Sequence, residues 1–274
     1  MSMLPDLVRL VSPPAEPVDG DGEWRRVWTS LGCRLPPDYQ ELVDVYGLGS
    51  FDDLVLWTPF TGRTWANIVV QARGLLTDYD EVRAIDPTSF PYPLFPEEGG
   101  VLPWASTGDG DWLCWLTGDE PDRWPIVEWN SREGSRRHDV GAVQFLVEYL
   151  SGARDVLVLR PPPPVPWFDP YRELVQVSAK LAGTSGDPYR DFRQWFAPTA
   201  DRAVWDGGDG NRQDSFKALD RGWLVTFNTD VGYGASDRTP RLSVWISCPP
   251  ADVDDVRAAV QFAAEALGMR ALPI

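Results

Sequence analysis

Apolar residues recur at helical spacing in three stretches of the first half of the chain, with alternating stretches between them. After a short apolar start from Leu4 to Val11 and an irregular Pro- and acid-rich segment from Ser12 to Gly22, Trp24, Val27, Trp28 and Leu31 mark a helix closed by Gly32. A second helix opens at Pro36-Pro37-Asp38, carries Tyr39, Leu42, Val43 and Tyr46 on its apolar face and stops at Gly47-Leu48-Gly49. The segments Phe51 to Phe60 and Ile68 to Leu76 read as strand-like or mixed, and Asp86 to Gly100 as a proline-rich loop. Val101 to Trp115 then reads as a hairpin: Gly108 and Gly110 permit positive φ, and Asp109 and Asp111 can bond the local backbone. Ile126 to Trp129 is a further strand, and a third helix runs from about Val140 to Leu150, with Val143, Leu146, Val147 and Leu150 inward.

Pro161 to Pro164, with Pro166 beyond, can enter neither a helix interior nor a central strand, which predicts a boundary between domains at 1–160 and 165–274. In the second domain Asp169-Pro170 and Asp187-Pro188 each read as an N-cap followed by proline, opening helices that end near Leu181 and Phe196. Strands are predicted at Arg202 to Trp205, Ser215 to Leu219, Trp223 to Asn228 and Leu242 to Cys248. A final helix spans about Asp252 to Leu267, with Val253, Val256, Val260, Ala263 and Leu267 on one stripe and Gly268 as its stop. The predicted class is α+β, a sheet-and-helix domain followed by a second small α+β domain.

Charge narrows the partners. The chain of 274 residues has a formal net charge of -16. Residues 1–160 hold 26 Asp and Glu against 13 Lys and Arg, a net of -13, while residues 161–274 hold 15 against 12, a net of -3. Such a field repels nucleic acid and anionic membrane surfaces and speeds encounter with basic proteins. Cys33, Cys114 and Cys248 are widely spaced and form no CxxC pair, which fits a reducing compartment. The single histidine, His138, sits in the polar run Ser135 to Asp139 and reads as a solvated loop residue, leaving no basis for zinc or Ser-His-Asp chemistry. The absence of a secretory leader and of any apolar run near the ~20 residues that span a bilayer predicts a soluble, cytoplasmic protein, and no cofactor is expected. Asp206 to Asn211 lacks the spacing of an EF-hand loop, and Gly232-Tyr233-Gly234 lacks the third glycine of a dinucleotide fingerprint.

Four features in order give residues 24–152 a family resemblance. They are the first helix around Trp24 and Trp28, the Leu35-Pro36-Pro37-Asp38-Tyr39 opening that runs to Gly49, the hairpin from Leu102-Pro103-Trp104 to Trp115, and the closing Phe145 to Gly152 helix. Together they resemble the SUKH superfamily of α+β proteins. The resemblance implies a non-enzymatic protein-binding domain. Many bacterial members look like immunity proteins that neutralise a polymorphic toxin, often a nuclease or deaminase, and fungal relatives regulate cell-wall synthesis. It carries no catalytic residues across and does not extend to residues 165–274.

For a basic toxin the expected mechanism is occlusion, with carboxylates in place of phosphates and aromatic anchors beside them. The candidates are Asp52 and Asp53; Asp78, Asp80 and Glu81; Glu97 and Glu98; and Asp109, Asp111, Trp112, Asp119, Glu120 and Asp122 around the hairpin. Two alternatives compete: a regulator or scaffold for an endogenous partner, and a carbohydrate-active hydrolase using Trp104, Trp112, Trp115 and Trp124 as a stacking platform.

Overall fold

The computed structural model describes residues 3–88, 91–130, 134–183, 187–206, 212–230 and 241–272. It divides after Tyr171 into two compact units. The first begins with helices α1 (Leu4–Leu10), α2 (Trp24–Leu31) and α3 (Pro37–Tyr46). Strands β1 (Gly49–Phe51) and β2 (Leu54–Leu56), helix α4 (Ile68–Ile85), and strands β3 (Val101–Thr107), β4 (Trp112–Leu116), β5 (Ile126–Asn130) and β6 (Gly134–His138) follow. Helix α5 (Ala142–Leu150) and strand β7 (Phe168–Pro170) complete it. The strands form one antiparallel sheet of seven in the order β6-β5-β4-β3-β2-β1-β7.

The core of this unit is aromatic. Tyr39, Tyr46, Phe51, Trp104, Trp115, Phe145 and Tyr149 are all buried in one cluster with Leu42, Val43 and Leu146. The Tyr39 ring meets Trp115 edge-on at 4.8 Å and Trp104 at 6.3 Å. Its hydroxyl donates to the Trp57 carbonyl at 2.8 Å, and that of Tyr46 donates to the Val11 carbonyl at 2.6 Å. The two tyrosines therefore enter the core with their hydroxyls satisfied, whereas the buried indole nitrogens of Trp104 and Trp115 have no hydrogen-bond partner among the described residues. Pro103 stands in a central strand, where its missing donor would break the ladder, but the register shifts between Pro103 and Ala105 and the irregularity absorbs it.

Asp38, next to Tyr39 in the chain, fixes the far helix. Its Oδ1 accepts the Tyr39 amide at 2.8 Å and its Oδ2 accepts the Val143 amide, in the first turn of α5, at 3.1 Å. The capping residue of α5 is Gly141, which brings no side chain of its own, and a Cβ there would stand 2.6 Å from Asp38 Oδ2. One helix thus supplies the cap of another. Burial raises the Asp38 pKa, and the bonds from Val143, Tyr39 and Ala142 oppose that rise.

Three expectations for this half are corrected. Residues 68–85 form a continuous helix rather than mixed strand, because Asn67 Oδ1 accepts the Val69 and Val70 amides at 3.0 and 3.3 Å and starts the helix despite its β-branched first turn. His138 is no solvated loop residue: it ends β6, 7% exposed, with Nε2 2.5 Å from Glu128 Oε1 and Nδ1 2.5 Å from Arg154 Nη1. Glu128 is wholly buried, and its Oε2 accepts the Leu157 and Val158 amides at 2.5 and 3.0 Å. Because Arg154 can only donate, Nδ1 accepts and the ring proton sits on Nε2, facing the carboxylate. The run reads as solvated because all of these partners come from elsewhere in the chain. Lastly, the prolines at 161–164 lie inside the first unit, and the division falls after Tyr171. Phe168 pairs with Phe51 across β7 and β1, and its ring lies 5.1 Å from that of Tyr46.

The second unit contains strand β8 (Val175–Ala182), helix α6 (Pro188–Arg193) running into a tighter turn at Gln194–Phe196, and strands β9 (Thr199–Asp206), β10 (Arg212–Ala218), β11 (Trp223–Asp230) and β12 (Arg241–Cys248). Helix α7 (Val253–Ala266) and strand β13 (Arg270–Leu272) close it, and the sheet runs β13-β8-β12-β11-β10-β9. Leu181, Phe216, Phe227, Val244 and Ile246 share a core with Phe192 of α6 and Val256 and Val260 of α7. The opposite, helix-free face presents Ser178, Trp245, Thr226 and Ser215 as one cross-strand row, flanked by Lys180 and Lys217. These two are the only lysines in the sequence.

Asp169-Pro170 opens no helix. Pro170 sits on an edge strand, where no donor is needed, and residues 175–182 alternate apolar and polar with the period of a strand. Asp187 does cap α6, accepting the Arg190 amide at 3.2 Å. Residues 207–211 of the Asp206 to Asn211 loop, and Gly232-Tyr233-Gly234, lie outside the described residues.

Two substitutions test these anchors. Asp38→Ala should lower unfolding free energy by about 1–2 kcal/mol in urea titration, with Asp38→Asn recovering part of it. Glu128→Gln places an N–H donor against groups that donate, and should cost about 1–3 kcal/mol in the same assay.

Candidate partner-binding surface

The strand register decides which candidate carboxylates meet. Phe51 pairs with Leu54, so Asp52 and Asp53 form the two-residue turn between β1 and β2, with Asp52 held at φ 51°. Leu54 in turn pairs with Thr107, which sets the β1–β2 turn beside the β3–β4 turn at Gly108 to Asp111. In that second turn the Thr107 amide donates to the Asp111 carbonyl at 2.9 Å, and Thr107 Oγ1 accepts the Asp111 amide at 3.1 Å. Gly110 takes φ 87°, as expected, but Gly108 is not left-handed; its role is contact, since a Cβ there would lie 2.9 Å from Asp53 Oδ1. Asp52, Asp53, Asp109 and Asp111 therefore share one end of the sheet.

The local field is visible in a neighbouring group. Burial first, then Asp52, pushes the Tyr149 hydroxyl well above its ordinary pKa, with Asp53 adding and Arg160 opposing. The Arg160 guanidinium is 3.9 Å from Asp53 Oδ2. Asp109 is exposed at the tip.

Next to this acidic end, the face of the sheet away from the core helices is aromatic. Trp112 stacks on Trp129 with ring centroids 4.8 Å apart and planes at 27°. Trp112 also joins Val55, Tyr171 and the buried Trp57, whose Nε1 donates to Ser106 Oγ at 3.1 Å. Trp65, 47% exposed, leans on Tyr171 at 5.7 Å, and the Arg63 guanidinium lies 4.2 Å over the Tyr171 ring. The sequence reading included Trp112 but missed Trp65, Trp129 and Tyr171. For Trp129 the signal was available: Val127 and Trp129 share a face opposite Ile126 and Glu128.

The remaining candidates lie elsewhere. Val101 pairs with Leu116 and Thr117 donates to the Gly100 carbonyl, so Glu97, Glu98, Asp119 and Glu120 flank the opposite end of the β3–β4 hairpin. Glu120 is 2.8 Å from Arg123, and Glu97 is 4.0 Å from Arg83. Asp122 borders a hollow of about 440 Å³ with Asp38, Glu41 and Gln144. Asp78, Asp80 and Glu81 fall within α4, and their side chains lie outside the description. The stacking platform expected for a hydrolase does not form, because Trp104, Trp115 and Trp124 are buried in the core. Among the described residues no group of three or more His, Cys, Asp or Glu side chains is placed to hold a metal, and no helix is long and apolar enough to cross a membrane.

Residues 21–141 match the SUKH_6 family model, described as SMI1-KNR4 cell-wall. The first unit carries a SUKH domain. The match takes in α2, the proline-opened α3, the Asp52–Asp53 turn and the whole β3–β4 hairpin of the SUKH domain, and it stops just before α5. Comparison with curated proteins and with solved structures gives no match.

The two glycines of the SUKH hairpin should respond differently. Gly110→Ala forces a Cβ into the left-handed region and should cost about 1 kcal/mol in thermal unfolding. Gly108→Ala should cost less, because only the end of the Asp53 side chain has to move.

Proposed function

We propose that the SUKH domain is a protein-binding module whose acidic sheet end captures a basic partner, and that the chain is a cytoplasmic immunity protein that neutralises a polymorphic toxin by occlusion. The observation that carries this reading is the gathering of Asp52, Asp53, Asp109 and Asp111 at one end of the sheet, beside Trp112 and Trp129. Four carboxylates on adjoining turns steer a basic nuclease or deaminase domain in and stand where its phosphates would bind. The half-buried Trp112, backed by the buried Trp129, supplies apolar contact that holds it, since aromatic anchors carry most of the energy of such interfaces. No step of this mechanism needs catalysis by the chain.

A second reading, a regulator or scaffold for an endogenous partner, draws support from the cell-wall description of the matched family. Immunity requires one tight partner, and regulation accommodates several weaker ones.

The test is association with the toxin domain encoded beside the gene, together with survival of cells expressing that toxin. Asp109→Lys combined with Asp111→Lys should slow association about tenfold or more at low salt, while Asp119→Lys with Glu120→Lys, at the other end of the hairpin, should change it by less than about twofold. Circular dichroism establishes that both variants fold. Equal effects of the two pairs would refute the acidic-end assignment, and failure of the wild-type chain to protect cells would refute immunity.

A further inference from the structure

An unpaired row of N–H and C=O groups on a sheet edge invites another strand, and proteins blunt such edges with charge, proline, bulges or shortness. Three of the outer edges here are blunted. In the first sheet β6 carries Arg136, Arg137 and His138, while β7 is three residues long with Asp169 and Pro170. In the second, β9 carries Asp201, Arg202 and Asp206, and its register shifts opposite Ser215 and Phe216.

Among the described residues, the fourth edge is only partly covered. Arg270, Ala271 and Leu272 of β13 pair with Ala182, Leu181 and Lys180, the last part of β8. Residues Val175 to Ala179 pair with β12 on one side, in unbroken register, and with no described residue on the other. This stretch, Val-Gln-Val-Ser-Ala, has no charge and no proline.

The same stretch borders an open groove of about 840 Å³, walled by Val177, Ala179 and Leu181 of β8, Val260 and Ala264 of α7, and Met269. Val175, Val177 and Ala179 are half-buried toward it, while Gln176 and Ser178 are exposed on the other face. Arg257, Arg270 and Glu265 line the groove; the Arg257 guanidinium is paired with Asp254 at 3.2 Å, and the Glu265 carboxylate accepts from Gln261 at 2.8 Å. With Asp254 counted, the rim carries two arginines against two acids and is close to balanced.

We propose that Val175–Ala179 is a strand-addition site for an extended peptide that runs in line with β13, pairs with the open edge of β8 and sends alternate apolar side chains into the groove beneath α7. A strand satisfies both halves of the site, the backbone row and the apolar wall, whereas an amphiphile would fill the groove and leave the row unpaired. The fitting partner spans about five residues, is apolar at alternate positions and carries little net charge, as the balanced rim requires. It is unlike the basic partner proposed for the SUKH domain, and the two readings stand or fall separately.

The experiment uses the full chain and a fluorescein-labelled peptide of alternating valine and threonine. Two isomers carry N-methyl groups on alternate backbone nitrogens, one isomer for each edge of the peptide. Saturable binding of the parent peptide is expected, with one isomer binding equally and the other weaker by about tenfold or more, because only one peptide edge pairs. Val177→Lys should abolish binding while circular dichroism and the thermal midpoint stay near wild type; should that variant unfold, the two isomers on the wild-type chain decide alone. No saturable binding at millimolar peptide overturns the proposal. So does equal binding of both isomers, which marks an amphiphile groove, and so does self-association of the chain that the peptide fails to compete, which marks a second copy as the occupant.

Discussion

A single carboxylate organises the helical layer of the SUKH domain. Asp38 belongs to the first turn of α3, and the amide it accepts belongs to Val143, 105 residues later in the chain. That bond sets the start of α5 against the start of α3, so that Leu42, Val43 and Tyr46 of one and Phe145, Leu146 and Tyr149 of the other join one cluster. Tyr39 follows Asp38 directly, and its ring is carried into the tryptophan core of the sheet by the same turn. The proline before Asp38 opens the helix, the acid ties it to its neighbour and the tyrosine buries it: three consecutive residues do three different jobs.

Elements whose signals are local were legible in the sequence. The caps of α2, α6 and α7 and the turn of the β3–β4 hairpin depend on residues within a few positions of one another, and so a reader of the chain finds them. Elements settled by distant partners were not. His138 and Glu128 look like surface residues until Arg154 and the amides of Leu157 and Val158 close around them. Residues 168–182 carry an Asp-Pro pair that imitates a helix start, but the alternation of Val175, Val177, Ala179 and Leu181 was the truer guide, because strand period is imposed by burial on one face. Conversely, Ile68-Val69-Val70 imitates a strand, and the single side chain of Asn67 reverses that preference.

The acidic surface was half legible. Composition alone located the charge in the first half of the chain, but register alone separates Asp52, Asp53, Asp109 and Asp111 from Glu97, Glu98, Asp119 and Glu120, which sequence treats as one group. A hairpin has two ends about 20 Å apart for strands of this length, and loops of like composition land at opposite ends. The aromatic neighbours were harder to find, since Tyr171 and Trp65 are over 100 residues apart and meet only because β7 returns to pair with β1.

The placement of Lys180 and Lys217 has a practical side. With arginine supplying every other basic side chain, the second unit's helix-free face holds all the side-chain primary amines that the protein possesses. Amine-reactive dyes, crosslinkers and activated resins would therefore attach their lysine-directed chemistry to that one sheet face, and the SUKH domain, lacking lysine altogether, would take no lysine-directed label through a coupling that modifies most proteins at random.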